Sequence, residues 1–464
     1  MNKKIIFPVL LLAAMNISAQ QGSIGNVQLE QIRKSYNAND PATRALTNAL
    51  TNNEVKKLVL NRQNLATIDH NFKYKVKVQG ISDQKQSGRC WMFTSMNVLR
   101  PLVIEKYQLS SFEFSHNYLY FWDVFEKANL YLEAQVKYAG KPMSDLYVDW
   151  LFKNPIGDGG VWSSFTNLAD KYGLVPKEAM PETFASENTA WMMRVISTKL
   201  REDGLKLREL VNQKSKPQQL ETTKISMLGE IYRILALNLG EPPTTFMYRF
   251  VTKDGDLGET KEFTPKTFMA EVLGPIDFTQ YVMLMNDPTR EYYKMYEIEY
   301  DRNVMEGRNW TYLNLPNEEL KRFAMASIKN NRALYASCDV GKQLNSDLGY
   351  SDIDNYDFES LYGIKFGMNK AQRIQTFESG SSHGMALIAV DVDTNEVPVK
   401  WQFENSWGSS SGHNGYLTFS DTWFNEYLFR VVVQKDFLDE NTLKLLEQKS
   451  TLLPPWDPMF QADE

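Results

Sequence analysis

Cysteine and histidine are scarce in this sequence, which limits the chemistry that it supports. Only Cys90 and Cys338 supply thiols, and four histidines are spread over 464 residues. Neither a Cys-x-x-Cys nor a His-Glu-x-x-His pattern occurs, so the common zinc signatures are missing. We therefore expect neither a metal site nor a cofactor. The two cysteines either form one disulfide or leave one thiol for chemistry, and their surroundings favour the second option.

Long runs of one charge, internal repeats and low-complexity tracts are also missing. The chain has 57 acidic and 51 basic residues and a net charge of −6. This balance argues against a dedicated polyanion binder, so we do not expect nucleic acid as a ligand. A hydrophobic fraction of 43% is too high for a disordered chain and is sufficient for a large core.

The N-terminus has the pattern of a secretory signal peptide. Two lysines precede an almost wholly apolar stretch over residues 5–15, and Ile17-Ser18-Ala19 provides a small-residue cleavage site. The apolar stretch is shorter than the ~20 residues that a membrane-spanning helix needs. We therefore predict a signal peptide over residues 1–19, a periplasmic or secreted protein, and no stable membrane anchor. A buried N-terminal helix is the alternative.

Hydrophobic periodicity indicates a helix-rich first part and a strand-rich last part. We predict helices over residues 27–60, 90–99, 112–138, 186–211, 223–239 and 317–329. Pro101 is predicted to end or kink the second of these. We predict strands over residues 73–78, 332–338, 383–392, 399–403, 415–419 and 427–433. This order indicates an α+β fold with two unlike halves, and an active site between them would take residues from both.

Cys90 lies where a polar, glycine-containing loop is predicted to become a helix. A thiol there faces free backbone N–H groups and the positive end of the helix, and both lower its pKa. Gln84 lies six residues earlier, and the chain can double back through Gly88. The Gln84 amide and the Cys90 backbone N–H would then bind a developing oxyanion. A buried structural cysteine is the alternative, and a nucleophile also requires a base.

The base is predicted from a β-hairpin near the C-terminal end. His383 opens an apolar run, and a hairpin folded about residues 393–396 places it opposite Asn405 or Ser406. Opposed side chains in antiparallel strands have Cβ atoms about 5 Å apart, so the Asn405 amide oxygen can accept from the imidazole. We predict that His383 is the general base, that Asn405 orients it, and that Trp407 covers the pair. A packed or solvated histidine is the alternative.

Two segments carry the active-site signatures of a known family. They are Gln84-Lys85 with Ser87-Gly88-Arg89-Cys90-Trp91, and Glu404-Asn405-Ser406-Trp407-Gly408. Both resemble segments of the bleomycin hydrolase and aminopeptidase C family, a branch of the papain-like cysteine peptidases. Further matches are Gly157-Asp158-Gly159-Gly160, Lys171-Tyr172-Gly173-Leu174-Val175-Pro176, Leu239-Gly240-Glu241-Pro242-Pro243, Cys338-Asp339-Val340-Gly341-Lys342 and Trp456-Asp457-Pro458-Met459. The resemblance runs from about residue 84 to the end of the chain, and its motifs are highly specific.

The resemblance implies a papain-like two-lobed cysteine peptidase fold, with a helical lobe and an antiparallel β lobe. It implies a peptidase domain over residues 20–464, with a helical insertion at about 185–310 and a C-terminal tail at about 452–464. Gly159 and Gly160 match the papain-type glycines whose backbone pairs with the extended substrate, and Trp407 completes the predicted substrate site. Cys338 falls in a structural strand motif, which favours leaving it unpaired.

Members of this family assemble as hexameric rings whose active sites face an inner channel, and their C-terminal tail limits cleavage to N-terminal residues. We therefore expect a homohexameric thiol aminopeptidase that acts on peptides. An endopeptidase with a displaced tail, and a ring-shaped channel-binding protein in which proteolysis is secondary, are the alternatives. The chain departs from the family in its tail, Phe460-Gln461-Ala462-Asp463-Glu464, and in its export signal.

Overall fold

A computed structural model describes residues 22–460. The predicted signal peptide and the last four residues of the predicted tail lie outside this range. The described residues form two compact units. One contains the chain up to Leu60 together with Asp357–Ile364, and the other contains Asn61–Tyr356 together with the chain from Lys365. The predicted partition into peptidase domain, insertion and tail is a different kind of division and stays a prediction.

The helices of the described residues are α1 (Asn26–Arg33), α2 (Pro41–Asn52), α3 (Val55–Val59), α4 (Arg62–Leu65), α5 (Cys90–Tyr107), α6 (His116–Lys137), α7 (Leu146–Lys153), α8 (Trp162–Tyr172), α9 (Phe184–Glu187), α10 (Ala190–Asn212), α11 (Pro217–Leu239), α12 (Pro265–Leu273), α13 (Asn317–Lys329), α14 (Phe358–Tyr362), α15 (Lys370–Gln375), α16 (Asp421–Tyr427) and α17 (Glu440–Leu445). The strands are β1 (Tyr74–Lys75), β2 (Phe246–Tyr248), β3 (Lys261–Phe263), β4 (Tyr281–Met285), β5 (Lys294–Ile298), β6 (Thr311–Asn314), β7 (Leu334–Cys338), β8 (Leu344–Asn345), β9 (Tyr350–Ser351), β10 (His383–Val392), β11 (Pro398–Glu404), β12 (Tyr416–Ser420), β13 (Leu428–Gln434) and β14 (Thr451–Leu453). The first unit contains α1, α2, α3 and α14, and the second contains the rest.

The second unit is built on a 12-stranded sheet in the order β14-β5-β6-β4-β13-β7-β10-β11-β12-β9-β8, with β1 paired to β10. The sheet is mixed. Most neighbours are antiparallel, but β12 with β9, β14 with β5 and β4 with β6 are parallel. Strand β10 is buried from His383 to Val390 and packs against α5. The start of β10 therefore lies in the interior, beside the helix that begins at Cys90.

Helix α5 continues through Pro101 to Tyr107, so its predicted end near residue 99 was wrong. A proline inside a helix costs about 3 kcal/mol. Leu99, Val103 and Ile104 are buried on either side of it. Burying an aliphatic side chain contributes about 1.5–3 kcal/mol, so tertiary packing of these residues offsets the local cost. The helix that carries Cys90 is therefore long and rooted in the core.

Helices α6, α10 and α11 pack against one another. Leu200 of α10 and Ile231 of α11 are fully buried. Gly204 permits the close approach, because a Cβ there would lie 2.8 Å from the Tyr131 hydroxyl of α6. Helices α10 and α11 correspond to the helices that were predicted over residues 186–211 and 223–239. Helix α11 begins earlier than predicted, at Pro217, since proline is well suited to the first turn of a helix.

Candidate active site

Cys90 is the first residue of α5. The preceding residue, Arg89, has non-helical backbone angles (φ −89°, ψ 15°), so the helix starts at the cysteine. The Cys90 side chain is partly exposed, whereas Trp91 and Met92 are buried. Its sulfur accepts a hydrogen bond from the Gly384 backbone N–H at 3.5 Å. The thiol therefore occupies the positive end of a helix, where a thiolate is stabilised.

His383 begins β10, and Asn405 directly follows the end of β11. Nε2 of His383 lies 2.8 Å from Oδ1 of Asn405, and both residues are buried. The same oxygen accepts from the Ser406 backbone N–H at 2.8 Å. Because an amide oxygen only accepts, Nε2 of His383 is the donor, and Nδ1 is left to exchange a proton with the thiol.

The hairpin that joins His383 to Asn405 has a register that differs from the prediction. Ala386 lies opposite Glu404, one residue further along β11 than predicted, and two irregularities follow towards the turn. The ladder between β10 and β11 ends at this pair, so His383 and Asn405 meet through their side chains beyond it. The backbone partner of His383 is Cys338 of β7. The predicted contact therefore exists, but direct cross-strand opposition does not produce it.

Cys338 is a free and completely buried thiol. Burial raises its pKa well above the ordinary value, so this sulfur stays protonated and unreactive. It lies nearer to the site than the sequence indicated, because its backbone pairs with His383. Both cysteines are unpaired, which removes the disulfide alternative.

Opposing influences act on the pKa of the Cys90 thiol. Burial, the largest, raises the pKa, whereas the charge and hydrogen bond of His383, the Gly384 N–H and the charge of Arg430 lower it. The lowering contributions prevail, so the pKa is below its ordinary value. Arg430 is itself buried and lies over the Trp310 ring, 4.1 Å from its centroid. These surroundings favour a thiolate paired with an imidazolium.

The indole of Trp407 lies against the imidazole of His383. The two ring centroids are 4.9 Å apart, with an angle of 34° between the planes. Asp83 forms an isolated β-bridge with Trp407, which joins the Trp407 backbone to the loop that leads to Cys90. The indole therefore packs against the same imidazole that bonds to Asn405.

Gln84 is held beside the same pair. Its Nε2 donates to the Ser87 carbonyl at 2.7 Å, and its Oε1 accepts from the Ser406 hydroxyl at 2.5 Å. An amide carries two N–H donors, so Ser87 uses one and leaves the other for a substrate oxygen. The backbone N–H of Gln84 also donates to the Ser406 carbonyl at 2.8 Å. The structure thus brings Gln84 to the site, with half of its donor capacity already used.

The glycines predicted to pair with substrate lie beside the nucleophile helix. A Cβ on Gly160 would lie 2.6 Å from the Trp91 indole, so only glycine fits there. Gly159 has no such neighbour within 4 Å. The indole N–H of Trp91 donates to the Asp158 carbonyl at 2.7 Å. The loop and the helix are therefore in direct contact.

Two charged residues near this loop were missed by sequence reasoning. The ammonium of Lys127 donates to the Gly157 and Gly159 carbonyls at 2.9 and 2.6 Å. The Asp158 carboxylate accepts from the Gly88 N–H at 3.2 Å. Asp158 lies inside the family motif Gly157-Asp158-Gly159-Gly160, so the sequence did carry a signal for it. Lys127, on α6, carries no such signal, because its role depends on tertiary packing.

Within residues 22–460, no helix combines the length and apolarity of a membrane span. The same residues contain no group of three or more His, Cys, Asp and Glu side chains arranged to hold a metal ion.

The chain is similar to known proteins over nearly its whole length. The chain is 38% identical to bleomycin hydrolase of Homo sapiens over 430 residues, which cover 90% of this chain and 94% of that protein. It is 36% identical to aminopeptidase C of Lactobacillus delbrueckii subsp. lactis over 424 residues, covering 90% and 94%. The crystal structure of PepW from Lactobacillus rhamnosis HN001 matches with a TM-score of 0.91 and 35% identity, covering 95% of this chain and 99% of that one.

These similarities confirm the resemblance and the papain-like α+β fold that were predicted from the sequence. The model of the Peptidase C1-like family matches residues 23–460, which is nearly all of the chain. The chain belongs to the Peptidase C1-like family.

Proposed function

We propose that this protein is a cysteine aminopeptidase that hydrolyses peptides at or near their N-terminus. The observation that carries the proposal is the bond between His383 and Asn405 at 2.8 Å, formed beside a Cys90 thiol whose pKa is lowered. The similarity to a protein named aminopeptidase C supports a peptidase acting on chain ends, and the similarity to bleomycin hydrolase supports a hydrolase.

The residues support a two-step hydrolysis. The Cys90 thiolate attacks the scissile carbonyl carbon, and the oxyanion that forms accepts from the free Gln84 N–H and the Cys90 backbone N–H. The His383 imidazolium gives its proton to the leaving amine, which leaves a thioester on Cys90. Neutral His383 then takes a proton from water, whose oxygen attacks the thioester and releases the acid and the thiol. Asn405 keeps the imidazole oriented in both steps.

The C-terminal segment supports the restriction to chain ends. The carbonyl oxygens of Pro458 and Met459 lie 3.9 Å from the position of a Cβ on Gly380, three residues before His383. Met459 is buried, and Arg290 pairs with the carboxylates of both Asp287 and Asp457. The chain therefore approaches the site from a firmly attached segment, which supports the tail-limited cleavage that the family resemblance implies.

Two substrates and one truncation test the proposal. We expect wild type to cleave aminoacyl substrates in preference to N-blocked peptides, and Cys90→Ala to abolish both activities. Deleting residues 460–464 should raise cleavage of N-blocked peptides, since it removes the tail that is proposed to limit cleavage to chain ends. Full activity in Cys90→Ala would exclude the cysteine mechanism, and a wild-type preference for blocked peptides would identify an endopeptidase instead.

We also propose that the mature protein is exported and homohexameric. The basic and apolar N-terminal pattern with its small-residue cleavage site supports export. Mass spectrometry of the mature N-terminus after cell fractionation tests this, and an intact Met1 in the cytosol would exclude it. The family resemblance supports the hexamer, and light scattering after size exclusion tests it. A mass no larger than the 53.6 kDa of one full-length chain would contradict it.

A further inference from the structure

The loop that carries Gln84 and Cys90 is held by a segment from the start of the helical region that follows α8. This segment, residues 182–189, is the clamp segment. Its residue Glu182 forms a bidentate ion pair with Arg89, the residue just before the nucleophile. The two N–O distances are 3.2 and 2.9 Å. Arg89 is 0% exposed and the Glu182 side chain is 15% exposed, so the pair is largely shielded from solvent.

Arg89 passes this contact on to the oxyanion loop. Its Nε donates to the Ser87 hydroxyl at 3.0 Å, and that hydroxyl donates to the Gln84 carbonyl at 2.6 Å. The Gln84 side-chain amide in turn donates to the Ser87 carbonyl at 2.7 Å. Hydrogen bonds therefore link Glu182 to the Gln84 main chain through Arg89 and the Ser87 hydroxyl, and the Gln84 side-chain amide bonds to the main chain of the same Ser87.

The clamp segment also pairs with the same loop through its backbone. Gln86 donates its N–H to the Glu187 carbonyl at 2.9 Å and accepts from the Thr189 N–H at 3.4 Å. The Thr189 hydroxyl donates to the carboxylate of Asp158, which also accepts from the Gly88 N–H. The loop is thus fixed at residues on both sides of Ser87. These contacts are of three kinds: the ion pair, the backbone hydrogen bonds of Gln86, and the Thr189 hydrogen bond to Asp158. Together they indicate that the clamp segment holds the loop in one defined geometry.

The energetics favour a role in geometry over one in stability. A buried ion pair gives little net stability, because desolvation of both charges opposes their attraction. The planar guanidinium of Arg89 does fix the geometry, since its three nitrogens donate to Glu182 and Ser87 at fixed angles. The adjacent Lys85 has a left-handed backbone (φ 53°), which the loop must hold against its local preference.

We propose that Glu182 and Arg89 are positioning residues, which hold the Gln84 amide at the angle needed to bind the oxyanion. This inference rests on the proposed function. The proposal predicts that the clamp segment controls the rate of the chemical step. It does so through the Gln84 loop, and not by direct contact with the reacting atoms.

The test compares Glu182→Gln and Ser87→Ala with wild type. Losing an oxyanion donor lowers kcat by about 10²–10³-fold, so a misdirected Gln84 should lower kcat by about 10-fold or more. We expect KM to change little. Alkylation of Cys90 by iodoacetamide needs no oxyanion site, so its rate should stay within about two-fold of wild type if the thiolate is intact.

A double-mutant cycle with Gln84→Ala separates positioning from general damage. If Glu182 acts through Gln84, then Glu182→Gln should lower kcat in the wild-type background and have almost no further effect in Gln84→Ala. Losses that multiply, or a wild-type kcat in both Glu182→Gln and Ser87→Ala, would overturn the inference. Should Glu182→Gln fail to fold, Ser87→Ala decides the question, because it keeps the ion pair and removes the hydroxyl that joins Arg89 to the Gln84 main-chain carbonyl.

A matched control uses a second ion pair. Lys224 of α11 pairs with Glu133 of α6, away from the site. The double variant Lys224→Met/Glu133→Met should leave kcat unchanged. The double variant Arg89→Met/Glu182→Met should fold even if Glu182→Gln does not, and it should have the same low kcat that is expected for Glu182→Gln. An active Arg89→Met/Glu182→Met variant would overturn the inference. If wild type has no activity that depends on Cys90, the proposed function itself has failed, which is a distinct result.

Discussion

Replacing His383 with alanine should change the pH at which Cys90 reacts. Burial is the largest influence on this thiol and raises its pKa, and His383 provides the two largest opposing contributions. Without the imidazole, only the Gly384 N–H and the more distant Arg430 charge remain to oppose burial. We therefore expect the pKa, which lies below the ordinary value in wild type, to rise to that value or beyond.

The size of the effect follows from the thiolate fraction. Below both pKa values, the thiolate fraction falls about 10-fold for each unit by which the pKa rises, so the variant has less thiolate than wild type there. A more basic thiolate is the better nucleophile, and this recovers about half of the loss on a logarithmic scale. The variant should therefore react more slowly than wild type at low pH, by about 3-fold for each 10-fold loss of thiolate. Above both pKa values it should react faster than wild type, so the two profiles cross.

The measurement is the rate of iodoacetamide modification between pH 5 and 10, read by mass spectrometry of the peptide that contains Cys90. Cys338 is completely buried and serves as an internal control, because its labelling would report unfolding. Gln84→Ala provides a matched variant that should keep the wild-type profile, since its amide does not act on the thiol pKa. Parallel profiles for wild type and His383→Ala, with no crossing, would show that the imidazole does not ionise the thiol.

Three further substitutions probe other parts of the molecule. A Cβ on Gly160 would lie 2.6 Å from the Trp91 indole, so Gly160→Ala should lower the free energy of unfolding by about 1–3 kcal/mol in urea titrations. Gly159→Ala should leave it unchanged, and equal stabilities would contradict the packing. Burial lowers the pKa of Lys370 to about 7, whereas the lysine of the unfolded chain keeps its proton up to about pH 10.4. Between these two values only the unfolded chain binds the proton, so the free energy of unfolding rises with pH across this window. This contribution of Lys370 to stability is lost as the pH falls through 7. Lys370→Met should reduce the slope of unfolding free energy against pH by up to about 1.4 kcal/mol per unit between about pH 7.5 and 9, and an unchanged slope would exclude this ionisation. Asp457→Asn should loosen the C-terminal segment and raise cleavage of N-blocked peptides, and an unchanged substrate preference would exclude the anchoring role.

The pairing of His383 with Asn405 was accessible from the sequence because a hairpin is a local structure. The turn near residues 393–396 sets which strand ends meet, and the alternation of side chains supplies the rest. The register was still wrong by one residue, since bulges in the ladder depend on the packing of both faces of β10. The contact survived this error because it forms beyond the ladder, where side chains can adjust.

Glu182 could not be found in this way. It is separated from Arg89 by 93 residues, and nothing in its neighbourhood marks it as more than a surface carboxylate. The helix containing Pro101 is the opposite case, because a local rule predicted an end that burial of the surrounding side chains overrides. Local periodicity therefore predicts the hairpin and several long helices, although the helix predicted over residues 27–60 is three shorter helices. It says nothing of partners that only the tertiary fold brings together.

Two buried arginine–glutamate pairs flank the candidate site, and their placement suggests why such pairs are present. Besides Arg89 with Glu182, Arg100 of α5 donates to Glu404 of β11 at 2.5 Å, and both side chains are almost fully buried. This second pair joins the helix that begins with Cys90 to the strand end that precedes Asn405. Apolar residues of similar volume would fill these sites with equal or greater stability. An ion pair instead fixes distance and angle, and both pairs lie where the relative position of nucleophile, base and oxyanion donor is set. Replacing Arg100 and Glu404 together with methionine should therefore preserve folding and lower kcat, and an active double variant would reduce this second pair to packing.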